Sequence, residues 1–160
     1  MSRFKRFLRS SRGANAVEFA LIAPVFILIL MGIIDFGRIF NAYITITHAA
    51  REGARWAAVC ETCTDQDVRQ RAHDRASSTL DVTAVACTAT SFCSCVDVAM
   101  RSGEAFPGTR GDYVEVTVRQ FVPVTVPLMN QFFSTGCAGT IYEGVHGVNL
   151  TTSSAYFRER

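Results

Sequence analysis

The chain of 160 residues carries 16 Lys and Arg against 14 Asp and Glu, a formal net charge of +2. That near-balance is uneven: Arg3, Lys5, Arg6, Arg9 and Arg12 precede every acid, which leaves 11 basic and 14 acidic residues, a sum of −3, from residue 14 onward. A basic tail flanking an apolar run is not the basic face of a folded domain, so nucleic acid is excluded as an expected partner; the length has room for one modest domain.

The apolar run comes first. Phe19 to Ile34 is 16 residues without a charge, and the stretch back to Ala14 makes 21 residues interrupted only by Glu18. At about 1.5 Å per residue, such a helix spans roughly 31 Å, enough to cross the hydrocarbon core of a bilayer. The positive charges before it, against Asp35 and Arg38 after it, put the N-terminus in the cytoplasm and the rest of the chain outside, behind a single membrane pass. The run is long for a secretory signal, and Met31-Gly32-Ile33-Ile34-Asp35-Phe36 offers no A-x-A-like cleavage site, so the helix is expected to be retained.

Glu18 stands out within this segment. A carboxylate at membrane depth costs about 2 to 3 kcal/mol on insertion scales, which calls for a partner, and the next cation-forming side chain is Arg38. A cut after Gly13 would supply one by making Ala14 the N-terminus. Ala14 and Glu18 lie one helical turn apart on one face, within reach of an ion pair between the α-amine and the carboxylate of the same or a neighbouring subunit. The competing reading is a Glu18 that snorkels to the cytoplasmic interface without a partner.

Gly13, Glu18 and Phe19 in this register resemble the leader and first helix of the type IV pilin class. More narrowly, RGANAVEFALIAPVFILILMGIIDFGRIFNAYITITHAAREGARWAA, residues 12 to 58, resembles the TadE-like pseudopilins of the tight-adherence (Flp) pilus system. The likeness rests on the Gly-x4-Glu-Phe register, Pro24 in the membrane run, the Asp35-Phe36-Gly37-Arg38 exit and the Ala49-Ala50-Arg51-Glu52-Gly53-Ala54-Arg55 segment together. It implies a prepilin peptidase cutting after Gly13, Ala14 as the mature N-terminus, Glu18 with Phe19 as the assembly and recognition site, and other pilins, pseudopilins and the assembly platform as partners besides membrane lipid. The chain is much longer than the small major Flp pilin, which implies a minor pilin or pseudopilin. Two other classes share the topology: an unprocessed single-pass scaffold or binding module, and a membrane-tethered thiol oxidoreductase.

Past the membrane, Phe36, Phe40, Tyr43, Ile44, Thr47 and Ala50 recur at helical spacing, which predicts one helix over 16 to 59, bent at Pro24 where a backbone donor is lost and the ring meets the Ala20 carbonyl. Two small-residue ridges, Ala49/Gly53/Ala57 and Ala50/Ala54/Ala58, let another backbone approach closely, the second being expected to pack the chain's own domain. Arg51, Glu52 and Arg55 mark the polar face, and His48 has no partner in register for metal or catalysis. The organisation is therefore a basic leader over 1 to 13, a long helix over 14 to 59 with 14 to 34 in the membrane, and an exported domain over 60 to 160.

In that domain Thr64 caps a short surface helix with acids in its first turn and an apolar stripe at Val68, Ala72, Ala76 and Leu80. Strands are expected over 82 to 87, 93 to 100, 113 to 122 and within 148 to 157; Tyr113 to Arg119 alternates with period two, and Pro123 and Pro127 end the strand or hold it at an edge. Phe132 and Phe133 fall in a loop or short helix, and Gly136 to Gly147 takes no assignment. The fold class is α+β: one long transmembrane and amphipathic helix, then a small antiparallel sheet with disulfides. Cys60, Cys63, Cys87, Cys93, Cys95 and Cys137 all lie on the exported side, which favours disulfides. A redox centre at Cys60-x-x-Cys63 would ordinarily open a helix after a strand, whereas this pair follows a helix; zinc would need a second well-spaced pair, and His73 and His146 do not supply it. No nucleophile elbow, phosphate loop, HExxH or paired-carboxylate motif is present, so no catalytic residue, metal or cofactor is expected.

Overall fold

The computed structural model describes residues 11–77, 94–103, 106–107, 111–126, 134–135 and 145–158, without the side chains of 11–14 and 134–135. The expected strand over 82 to 87, Leu80, Pro127 and the Phe132-Phe133 pair lie outside them.

Helix α1, Ser11–Val59, is a single element of 49 residues, roughly 74 Å long at about 1.5 Å per residue. It begins before the expected Ala16, runs through Gly13, and contains Pro24 without ending there. From Val17 to Ile34 its large apolar side chains lie open except for the half-buried Leu28, Leu21 at 77% and Phe19 at 73%, and no part of the apolar window is buried in the chain itself. An apolar surface of that length with no protein covering it is a candidate single-pass membrane anchor.

From Asp35 outward, one face of α1 is buried. Asp35, Ala42, Ile46, Ala49, Ala50, Gly53, Ala54, Ala57 and Ala58 follow one another at helical spacing, and the stripe ends with the helix. All but Asp35 and Ile46 are Ala or Gly, so the neighbouring backbones come close. A Cβ placed on Gly53 would sit 3.2 Å from the Ala72 Cβ and 3.4 Å from the Val116 Cγ1, so α1 meets a second helix and the sheet at that point.

That second helix, α2, spans Asp65–Ala76. Thr64 caps it in a reciprocal box: its hydroxyl oxygen accepts from the Asp67 N–H at 3.3 Å, and the Asp67 carboxylate accepts from the Thr64 N–H at 2.8 Å. Val68, Ala72 and Ala76 form the buried stripe and the remaining faces look outward, as the spacing predicts.

The sheet comprises β1 (Ser94–Met100), β2 (Tyr113–Pro123), β3 (Ser134–Thr135) and β4 (His146–Phe157), antiparallel in the order β1-β2-β4-β3. Val96 faces Val118 and Val114 faces Tyr156 in register. The period-two reading of β2 holds: Val114, Val116 and Val118 are fully buried while Tyr113 and Glu115 are exposed. Pro123 is its last residue, opposite Gly147, where a Cβ would collide with the Val122 carbonyl oxygen and the Phe121 ring. That close approach brings His146 and Gly147 into β4, two residues before the expected start. In the β1–β2 connection Gly103 (φ 81°) and Gly111 (φ 89°) take the left-handed backbone that favours glycine. Helix α1 lies across β2 and β4, and α2 reaches β1. The core joins Ile46, Val68, Val96, Met100, Val114, Val116 and Val118 to the alanine face of α1. The architecture is α+β, a long helix bearing a small sheet.

Candidate functional site

Gly13 and Ala14 lie in the first turn of α1 and Glu18 one turn further on, exposed, with Phe19 beside it. At 100° per residue, Glu18, Ile22, Val25, Ile29, Phe36, Phe40, Tyr43 and Thr47 fall within a strip of roughly 60°, one face of the helix. Asp35, Ala42 and Ile46, which hold the domain, lie about a quarter-turn away. The amphipathic stripe read from the sequence therefore meets the core only at its outer end, where Ala50 is fully buried, while Phe36, Phe40, Tyr43 and Ile44 lie open. Phe36 is 69% exposed, Phe40 56% and Tyr43 48%, the two phenylalanine rings stacked with centroids 6.3 Å apart. Among the described residues Glu18 has no hydrogen bond or ion pair. The Glu18 face is thus open from the apolar run to Tyr43.

What keeps it open begins at Asp35. This residue is 6% exposed although it directly follows the apolar run. One carboxylate oxygen accepts from the Thr125 N–H at 2.8 Å and the Val126 N–H at 3.0 Å; the other lies 3.5 Å from Arg38 Nη1, which also donates to the Thr125 hydroxyl at 2.9 Å. The segment after β2 is clasped to the helix one residue beyond Ile34. Two backbone donors on one oxygen and a guanidinium beside the other stand in for water around the charge, which is why an acid can be buried there. Sequence reasoning marked Asp35 and Arg38 only as the membrane exit, because their partners lie some 90 residues away. The available signal was an acid with an arginine three residues on, together with a Pro123-Val124-Thr125-Val126-Pro127 segment in which prolines limit the backbone donors.

Both small-residue ridges face the chain's own fold. Ala49, Gly53 and Ala57 are as buried as Ala50, Ala54 and Ala58, all against α2 and the sheet. The expectation for the Ala50 ridge holds, and the Ala49 ridge is occupied in the same way.

Cys60 and Cys63 form a disulfide across the turn from α1 to α2, with the Cys63 N–H 3.1 Å from the Cys60 Sγ. Cys95, fully buried in β1, is also disulfide-bonded. Cys87, Cys93 and Cys137 lie outside the described residues. Arg158, 5% exposed, donates to the Cys60 carbonyl at 3.2 Å and to the Pro107 carbonyl, tying the end of the sheet to the end of α1. Among the described residues no group of three His, Cys, Asp or Glu is placed to hold a metal.

On the polar side, Glu52 pairs with Arg55 at 3.2 Å and with Arg71 of α2 at 3.5 Å. The hydrogen bond from Arg55 holds its carboxyl below the usual carboxylate range, against a partial opposing effect of burial. On its own helix Glu52 pairs with Arg55, and its second partner comes from the other helix.

No match to the chain was found among curated proteins or among solved structures. The helix is a different matter. Residues 13–55, beginning at the glycine of the motif and ending within the buried ridge, match the model of the TadE-like protein family, and the resemblance read from the sequence stands over that segment.

Proposed function

We propose that the chain is a pilus-associated membrane subunit, a minor pilin or pseudopilin of the tight-adherence type, cut after Gly13 by a prepilin peptidase. Ala14 then becomes the N-terminus on the cytoplasmic side, and its α-amine meets a Glu18 carboxylate at the edge of the bilayer. The apolar helices pack side by side through the open face, and the sheet domain rides outside as the part presented to other pilus components. The observation that carries this reading is the open strip itself: it starts at the one acid of the membrane segment and runs as apolar side chains past the membrane exit to Tyr43, a length over which the domain occupies another face. The TadE-like match, which starts at Gly13, supports it.

Intact mass of the membrane form tests the first step. A chain beginning at Ala14 supports processing, and one beginning at Met1 or Ser2 sinks it in favour of an unprocessed anchor. Glu18→Ala tests the second: it removes a membrane-depth charge worth about 2 to 3 kcal/mol, so insertion is kept or improved while assembly fails. Normal piliation from that variant refutes the pairing.

A further inference from the structure

Helices α1 and α2 each carry two arginines one turn apart, Arg51 with Arg55 and Arg71 with Arg75, and these border a groove of about 520 Å³ walled at one end by Tyr156 of β4. We propose that this groove is a docking site for an acidic, extended peptide segment of a partner protein.

The charge arrangement points there. Glu52 binds Arg55 and Arg71 together and so fixes two guanidinium groups on opposite walls. Asp74, the other acid in the groove, is occupied by the Gln70 amide at 2.8 Å and the His73 ring at 3.2 Å. Arg51 and Arg75 are exposed and have no hydrogen bond or ion pair among the described residues. Four arginines against two carboxylates leave a positive excess, although the chain from residue 14 onward sums to −3. Planar guanidinium forks bind carboxylates bidentately, so the complementary ligand presents carboxylates.

Geometry selects the source. Arg51 and Arg55 lie 16 and 20 residues beyond Asp35, roughly 24 to 30 Å along the helix, several times the ~8 Å screening length at physiological salt. Lipid headgroups at the membrane exit are out of range. The walls are charged and not apolar, unlike those of a site for a small apolar ligand. Arginines four residues apart on a helix repeat at about 6 Å, and side chains on one face of an extended strand repeat at about 6.6 Å, so acids at alternate positions of a strand match both walls. The inference is independent of the assembly reading, since neither processing at Gly13 nor Glu18 enters it.

The test uses the full chain in neutral detergent micelles and a fluorescein-labelled decapeptide of alternating Glu and Ser, followed by anisotropy. The Glu peptide binds at least tenfold tighter than its Gln counterpart, and its affinity falls as salt rises. Arg51→Gln with Arg75→Gln weakens it at least tenfold, while Arg101→Gln, an exposed arginine outside the groove, leaves it unchanged. Equal binding of the Glu and Gln peptides, indifference to the groove variants, or the same loss with Arg101→Gln overturns the proposal. So does polygalacturonate binding tighter than the peptide with the same arginine dependence, which would make the ligand an acidic glycan.

Discussion

Replacing Asp35 by Ala tests the clasp most directly. The substitution removes the acceptor of the Thr125 and Val126 N–H groups and the carboxylate partner of Arg38. Val126 is buried and its N–H has no route to bulk water while the segment stays docked. A buried donor left unpaired costs about 1 to 3 kcal/mol, and Thr125 is exposed enough for water to replace part of its bond, so the total is about 2 to 4 kcal/mol. Asp35→Asn keeps one oxygen for the two donors and loses the charge, for about 1 to 2 kcal/mol. Arg38→Gln costs less than about 1 kcal/mol, because its side chain is half exposed and water screens the pair. The assay is hydrogen–deuterium exchange on the full chain in micelles. A loss of 2 kcal/mol raises exchange at 125 and 126 about thirtyfold, while the amides of α1 between 46 and 58 keep their protection, since the alanine core is untouched. Unchanged exchange at 125 and 126 in Asp35→Ala would refute the clasp; a uniform rise across the domain would show that Asp35 serves the whole fold and not this attachment.

Two further outcomes follow from the packing and the charges. Gly53→Leu drives a side chain into Ala72 and Val116 and costs about 3 kcal/mol or more, measured as a lowered denaturant midpoint of the domain, whereas Gly37→Leu on the open side costs nothing comparable because nothing stands within 4 Å. Acid weakens the α2 cap: the Thr64 hydrogen bonds hold the Asp67 carboxyl below its usual 3.8, so the stabilisation is complete above that value and is lost as pH falls through the depressed folded value. Helicity by circular dichroism then falls further with acid in the wild type than in Asp67→Asn, which has no carboxylate to protonate; identical acid limbs would refute this.

Where the relevant partner is close along the chain, the sequence was legible. The long helix, the Thr64 cap, the period-two burial of β2 and the buried stripe of α2 all depend on spacings of two to four residues, which the sequence displays directly. The Cys60–Cys63 disulfide is equally local, but the sequence favours disulfides among the six cysteines without saying which of them pair. What escaped reading depends on distant partners. Asp35 looks like a solvated acid until Thr125 and Val126 arrive, and Arg71 is invisible as a partner of Glu52 until α2 folds back. The apolar stripe from Phe36 to Tyr43 was legible as a stripe, but periodicity does not say what covers it. The domain packs where alanine and glycine let the backbones approach closely, from Ala49 to Ala58, and leaves the aromatic rings nearer the apolar run uncovered.

The position of the clasp explains how one helix serves two surfaces at once. If α1 held the domain only through its alanine ridge between 49 and 58, the sheet would be fixed at the far end and its near end would be free to pivot toward Phe36 and Phe40, apolar side chains that a valine-rich sheet would readily cover. Asp35 adds a second attachment roughly 33 Å down the helix from Ala57, at the end of the apolar run, and it does so with oriented hydrogen bonds and not with apolar area. Directional bonds specify a rotation about the helix where hydrophobic contact alone does not. The Asp35 carboxylate at the end of the apolar run therefore fixes the azimuth of the domain, and the face that begins at Glu18 stays uncovered as far as Tyr43, the domain reaching it only at Ala54 and Ala58.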